Sequence, residues 1–428
     1  MDTPDPATTA QSLGRQSAFR RYWLARAVSS LGDAISLIAL PLLILQATGS
    51  VGQMGIVSAL GAGARLVAGL VAGTIADRYP RRPTLLISDL IRGLTTGALP
   101  LLWYTDHLAV QLIYLAAVVA GFLGSIFETL AATAVVELAG HDRLAEANGL
   151  VEGAEALMYV LGPGLAGVLA AGFGAAVAVG VDGLSFLLSA IVLLGITWLP
   201  RAESLGKHTI GTDLAAGYRA LRGDPRLTRA LLVTLVTAFA SVAGVDVFIY
   251  RLRHDLHQPA TIVGLVIGAA CLGGVVAALS AVRLLAAWRP TAILIVVLGF
   301  TGCLRLALAF TTSVPFMVAL AIGYTFGSSL TVIVATTVRG HTVPQTLLGR
   351  ASAVWIALSQ VATSLGAAML TNLVPSLGTS GVFVLIGLSE LALMIVIILP
   401  SAARDRSREG VLMEGRGDAA LVPERHES

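Results

Sequence analysis

Charge is what this sequence has least of. Asp, Glu, Lys and Arg together make up 12% of its 428 residues, about half of the roughly 25% usual in soluble domains. A core folded in water needs a charged surface around it, so an ordinary soluble enzyme is excluded. Cysteine is nearly missing too: Cys271 and Cys303 both sit in apolar runs, which rules out a disulfide framework. The formal charge of +3 gives no electrostatic footprint for a nucleic acid. The seven histidines are scattered, His254 and His257 near Asp255 being too few for a metal site, and no P-loop is present. No catalytic constellation, cofactor or metal is expected.

What the chain has instead is apolar mass: 56% AVILMFWYC, 46 glycines and a mean hydropathy of +0.84. Its solvent is lipid. Windows of about 20 residues, the helical rise across a bilayer, mark twelve stretches: 22–46, 51–75, 84–104, 108–135, 147–171, 174–198, 229–250, 261–282, 291–310, 314–337, 351–374 and 379–399. They are continuous rather than alternating, so helices are the spanning option. The N-terminus, with Asp2, Pro4, Asp5 and Pro6, lacks the basic-then-apolar order of a cleaved signal peptide. The fold class that follows is an all-α membrane protein of twelve transmembrane helices in a cell membrane.

Placing both tails on one side puts 22 of the 28 basic residues there, against Arg251 and Arg253 opposite, which predicts cytoplasmic termini. The polar interval 200–228 divides the spans six and six, giving a tail 1–21, bundles 22–199 and 229–400, and a C-tail 401–428. Arg82-Pro83-Thr84 recurs as Arg289-Pro290-Thr291 at an offset of 207, and that offset carries Arg143 onto Arg350. Two six-helix pseudo-repeats are a transporter architecture.

Charges inside the spans cost roughly 2.5–3.5 kcal/mol each at a helix centre. In span 1, Arg26, Ser29, Ser30, Asp33 and Ser36 share one face. Span 3 repeats the device with Ser88, Asp89, Arg92, Thr95 and Thr96; span 4 has Ser125, Glu128, Thr129 and Thr133. Span 5 offers Glu152, Glu155 and Tyr159, span 6 Asp182, and span 7 Asp246. Such stripes either pair off to fix helix register or line a water-filled cavity. Carboxylates outnumber the buried arginines, and one without a cation in a low dielectric takes up a proton more readily. Asp33, midway along span 1, is the first candidate for proton coupling; Glu128 and Asp182 follow, with Asp89 and Arg92 beside them.

Gly73-Thr-Ile-Ala-Asp77-Arg78-Tyr-Pro-Arg81-Arg82, between spans 2 and 3, resembles the G-x-L-A-D-R-x-G-R-R/K signature of the major facilitator superfamily, with Pro80 in place of its second glycine. The resemblance implies a latch that closes a cytoplasmic gate against span 11, with Arg143 and Arg350 in the matching loops. Arg26-x5-Gly32-Asp33, Asp89-Leu-Ile-Arg92, Asp182-Gly-Leu-Ser185-Phe186 and Val343-Pro344-x4-Gly349-Arg350 are similar to the drug:proton antiporter branch that contains macrolide-efflux and siderophore-export proteins. In span 5, Gly162-Pro163-Gly164-Leu-Ala-Gly167 resembles the antiporter element G-P-x-x-G-G, with Ala166 at the penultimate glycine; lying in an apolar helix with no preceding strand, it is not a dinucleotide site. Related branches carry an arginine in span 4, whereas no Arg or Lys lies between Arg92 and Arg143 here, and Arg92 is the electrostatic substitute.

The expected function is efflux of a small, apolar drug or secondary metabolite in exchange for protons, by a monomer in the bilayer. Spans 1, 4, 7 and 10 line the cavity, with Arg26, Ser36, Thr133, Tyr159, Thr237, Ser241, Asp246, Tyr324 and Ser328 as candidate substrate contacts. The alternatives are an importer or facilitator of a small solute, and a scaffold or sensor that has lost transport.

Overall fold

The computed structural model describes residues 17–196 and 210–418, the side chains at 77, 141, 210–214 and beyond 397 lying outside the description. Much of the two tails, and Trp198, Arg201, Lys207 and His208 of the central interval, therefore fall outside it. Among the described residues there are thirteen α-helices, twelve of them long and apolar enough to cross a membrane. The first six spans are α1 (Ser17–Thr48), α2 (Val51–Arg78), α3 (Arg81–Tyr104), α4 (Val110–Ala139), α5 (Leu144–Phe173) and α6 (Ala175–Leu194). A shorter α7 (Ile210–Arg222) follows, and then α8 (Pro225–Tyr250), α9 (Ala260–Ala287), α10 (Pro290–Phe310), α11 (Val314–Thr342), α12 (Gln345–Asn372) and α13 (Val374–Asp418). Spans 7 to 12 are α8 to α13, and α13 crosses over Val374–Ile397.

Local chemistry sets the helix ends. Gly49 takes φ +67° at the turn after α1, and the Ser50 hydroxyl accepts the Gln53 N–H at 3.4 Å to cap α2. Asp224 caps α8 by accepting the Arg226 N–H at 2.6 Å, with Pro225 in the first turn. Two expectations change here. Span 6 ends at Leu194 rather than 198. Arg251, read as part of a loop, continues α8 in a π-helical turn (Arg251–Asp255) and is 5% exposed. Its guanidinium donates to the Ala309 and Thr311 carbonyls at 3.2 and 2.9 Å, satisfying the orphaned acceptors at the end of α10.

Within the first six spans α1 packs on α5 and α6, α2 on α4, and α3 on α6; within the last six α8 packs on α12 and α13, α9 on α11, and α10 on α11 and α13. The halves are joined through α2 with α12 and α5 with α9. We call the membrane face where α1 begins the tail side and the opposite one the far side. On the tail side each half has its own core, Phe19, Tyr22, Leu85, Phe127 and Leu193 in the first and Leu227, Leu294, Val334 and Trp355 in the second. On the far side one core spans both: Ile38, Leu42 and Ala166 share it with Val247, Val263 and Leu370.

Lipid supplies no hydrophobic drive between helices, so close backbone approach has to hold that far-side seam. A Cβ on Gly167 would stand 2.6 Å from the Ala260 carbonyl oxygen and one on Gly264 2.7 Å from the Gly167 Cα, while one on Gly55 would overlap Thr371. At Gly69 and Gly73 of α2 and Gly149 and Gly153 of α5, an added Cβ meets nothing within 4 Å. The halves therefore meet at their far-side ends and part toward the tail side.

Candidate transport site

The polar core of the first half is built around Arg92, which is 2% exposed on α3. It donates to Asp33 of α1 at 2.6 Å, lies 3.7 Å from Asp89, and places its guanidinium 3.8 Å over the Phe186 ring of α6. A planar guanidinium suits this arrangement, because it can bind two carboxylates in its plane and stack on an aromatic face. Gly124 of α4 lies against it, a Cβ there falling 3.6 Å from the guanidinium. One turn along α1, the Ser36 hydroxyl donates to Asp182, which is 3% exposed and leaves Oδ1 without a hydrogen-bond partner. α1 reaches α6 this closely because position 32 is glycine: a Cβ there would overlap Asp182 and Ser185.

Two further pairs line the same half. Arg26 pairs with Glu155 of α5 and lies 5.5 Å from the Phe127 ring centroid. Arg65 donates to Glu128 of α4 at 3.0 Å, both side chains being partly or largely exposed. The structure thus brings Asp33, Asp89 and Arg92 into one cluster, while Glu128 pairs with Arg65 and Tyr159 is 42% exposed. The sequence singles out Asp33 as a carboxylate short of a cation; in this conformation Arg92 supplies one. Asp182, Asp246 and Glu390 are the buried carboxylates that have no ion pair among the described residues.

Glu390 escaped the sequence reading, although its position inside the last apolar stretch was a visible signal. It is 0% exposed on α13, and neither oxygen has a hydrogen-bond partner. Near it, Arg305 of α10 donates to the Ala240 carbonyl at 3.2 Å and stacks 3.8 Å over Tyr324 of α11. The Tyr324 hydroxyl has no hydrogen-bond partner. Asp246, 2% exposed, accepts from Ser58 of α2 at 2.8 Å. The hydroxyls of Thr133, Ser241 and Ser328 bond carbonyls of their own helices, at 2.7, 2.8 and 3.1 Å, while Thr237 is half-buried on α8.

Two arginines of the signature loop bond within their own half. Arg81 pairs with Glu137 in the last turn of α4, and Arg82 donates to the Leu194 carbonyl that ends α6. The Asp77 side chain is outside the description, and Arg78 is exposed. Arg143 bonds Glu146 at 2.9 Å, and Gly217 of α7 rests against the Arg350 carbonyl of α12. The span-5 element divides its work: Gly162 packs on Ala34 of α1, Gly167 closes the seam with α9, Pro163 is buried with its carbonyl against Gly264, and at Gly164 an added Cβ would meet nothing. The seam glycines of the other helices, Gly55 and Gly264, went unread, though small residues spaced along a span are the usual sign of helix contact.

Comparison with known proteins agrees with this architecture. The chain is 28% identical over 397 residues to the enterobactin exporter EntS of Citrobacter koseri, covering 91% of this chain and 93% of that one. It is also 28% identical over 401 residues to EntS of Escherichia coli O1:K1, at the same coverage. The crystal structure of a point mutant of the nucleoside transporter NupG superposes with a TM-score of 0.76 over 89% of this chain and 99% of its own, at 12% identity, a likeness of fold. The family model described as Major Facilitator Superfamily matches residues 22–311, and with twelve spans in two six-helix halves around a buried charge cluster, this chain belongs to that superfamily of membrane transporters.

Proposed function

We propose that the protein is a proton-coupled exporter that carries a small, apolar drug or secondary metabolite out of the cell by alternating access. The basic-residue asymmetry makes the tail side cytoplasmic, so the state described here is inward-facing and both termini are cytoplasmic. Export of enterobactin by the EntS relatives supports the outward direction and brings siderophores into the substrate class. The protein works as a monomer; its partners are the bilayer, the substrate and protons, and no catalytic residue, cofactor or metal is assigned.

The observation that carries this reading is the contact between Arg92, whose side chain is 3% exposed, and Asp33, whose side chain is 32% exposed. A carboxylate reachable by water yet held by a buried cation exchanges a proton for an ion pair at little structural cost. When a proton from outside neutralises Asp33, the Arg92 guanidinium remains compensated by Asp89. When the site opens inward, the proton leaves and the Asp33–Arg92 pair re-forms. Gly124 leaves room for Arg92 against α4, the helix on which related antiporters carry an arginine.

The test is proton movement in inverted vesicles, followed by quinacrine fluorescence, on addition of macrolides, tetracyclines, siderophores and dyes. The expected result is compound-dependent proton exit from the lumen, abolished in Asp33→Asn. A folded Asp33→Asn protein that still moves protons with substrate would remove Asp33 from the coupling. Accumulation of the compound by intact cells, instead of exclusion, would reverse the direction.

A further inference from the structure

Among the described residues, two side-chain hydrogen bonds cross the far-side seam from one half to the other. Ser364 of α12 donates to the Ala59 carbonyl at 2.8 Å, and Ser58 of α2 donates to Asp246 of α8 at 2.8 Å. The first joins neutral groups. The second ends on a carboxylate that is 2% exposed. An ionised carboxylate enclosed there would need a cation.

Among the described residues the packed helices supply none. α2 presents Ser58, and its Arg65 lies two turns tailward, held by Glu128. α1 has no titratable residue between Ser36 and its end at Thr48. α12 has Thr371 and Asn372 at this end and its one arginine, Arg350, at the other. Arg305 of α10 meets α8 at Ala240 and Gly244, the latter about 200° of helical rotation from Asp246; Tyr324 of α11 and Glu390 of α13 lie on that Arg305 side. In the π-helical turn beyond, Arg251 is committed to the Ala309 and Thr311 carbonyls and to Ser380. Arg253 bonds the Gln258 carbonyl.

The far side, by contrast, reaches within one helical turn. Tyr250, four residues beyond Asp246 and so on the same face, stacks on His254 with ring centroids 4.7 Å apart. Both line a far-side pocket together with Asp255, Thr379 and Val51 of the opposite half. His254 lies 3.2 Å from Asp255, which accepts from Thr379 at 2.6 Å. That pocket opens on the far side about one helical turn beyond Asp246.

We propose that Asp246 is a proton-binding site in the far-side seam, loaded from outside, and that the seam closes only over its neutral carboxyl. A proton from external water converts the carboxylate to the acid; Ser58 then donates to an uncharged oxygen, and the two halves close without burying a charge. Loss of that proton to the outside returns the carboxylate and opens the seam. This assignment rests on the alternating-access reading above but not on substrate or on Asp33.

The test uses spin labels at Gln46→Cys and Ser376→Cys, exposed far-side positions on opposite halves, with Cys271 and Cys303 replaced by serine. Distances are measured by double electron–electron resonance in lipid nanodiscs between pH 5.5 and 9. The expected result is a growing long-distance population at high pH, and an Asp246→Asn protein held at the short distance throughout. Asp33→Asn, which removes substrate coupling, keeps the pH response, so failure of transport and failure of the seam site read separately. A pH response unchanged in Asp246→Asn, or no response in the parent protein, overturns the proposal. Equal size-exclusion profiles and a Ser58→Ala protein that opens at lower pH than its parent guard against a folding artefact; a Ser58→Ala protein indistinguishable from the parent overturns it too.

Discussion

The two halves hold buried arginines in opposite ways. In the first, Arg92 is shared by two carboxylates and one of them, Asp33, keeps about a third of its side chain in water. In the second, Arg305 is spent on a backbone carbonyl and the Tyr324 ring, and Glu390 lies sealed nearby with both oxygens unbonded. A compensated, water-reachable pair can trade partners during a cycle. Glu390 forms no ion pair among the described residues. The two buried arginines thus differ in kind, Arg92 being held by carboxylates and Arg305 by a backbone carbonyl and a ring.

The largest break in this comparison comes from removing the shared cation. Arg92→Leu leaves Asp89, 0% exposed, without its arginine. Removing one partner of a buried pair costs about 3–5 kcal/mol, so we expect the variant to be lost from the membrane fraction or to melt many degrees lower in detergent. Arg305→Leu provides the contrast: no carboxylate forms an ion pair with Arg305 among the described residues, and its melting temperature is expected to fall less than that of Arg92→Leu in the same assay. Equal losses would mean that the halves do not differ in this respect.

The seam offers a second break of intermediate size. Gly167→Leu and Gly55→Leu put side chains where Ala260, Gly264 and Thr371 now stand. The far-side ends can no longer meet, and export is expected to fall at least tenfold while substrate still binds from outside. Gly153→Leu, at a tail-side position with open space, is expected to transport normally in this state's half of the cycle. Flux assays on the three variants, with binding measured in detergent, decide the matter.

Glu390→Gln sharpens the contrast between the halves more gently. An amide of the same shape in a buried position without an ion pair among the described residues is expected to leave the melting temperature equal or higher, whereas Glu155→Gln, opposite Arg26, lowers it. Thermal melts of the two single variants give the sign directly.

These contrasts were unevenly visible in the sequence. Hydropathy and spacing were enough for twelve spans, because lipid forces every backbone group into a helix and leaves a long apolar run for each. The face Arg26–Asp33–Ser36 and the pair Asp89/Arg92 were legible because charge in a span is costly enough to carry meaning. Their partners were another matter. Nothing in linear order says that Arg92 bonds Asp33 as well as lying beside the nearer Asp89, since that contact depends on Gly32 letting α1 settle against α6. Ser58 is one serine among the small residues of α2, and only the closed seam makes it a donor to Asp246. α7 was not expected as a helix for the opposite reason: it lies in a polar interval, and its Leu221 becomes core by docking beside Leu227 and Trp355.

The smallest effect belongs to the pair that breaks least. Arg65 and Glu128 sit 3.0 Å apart with side chains 36% and 55% exposed, bridging α2 and α4 where water can reach both. Exposed pairs of this kind contribute about 0–1 kcal/mol, because screening and side-chain entropy offset most of the Coulomb attraction. Glu128→Gln is therefore expected to move melting by no more than about 4 °C, the shift that roughly 1 kcal/mol produces at about 2–4 °C per kcal/mol. If Glu128 is instead a proton carrier, the same substitution abolishes coupled proton movement in vesicles while melting stays put. The two readouts separate the roles: a protein that melts and couples like its parent assigns Glu128 to a solvated wall of the opening, and leaves Asp33 and Arg92 as the pair through which the first half exchanges charge.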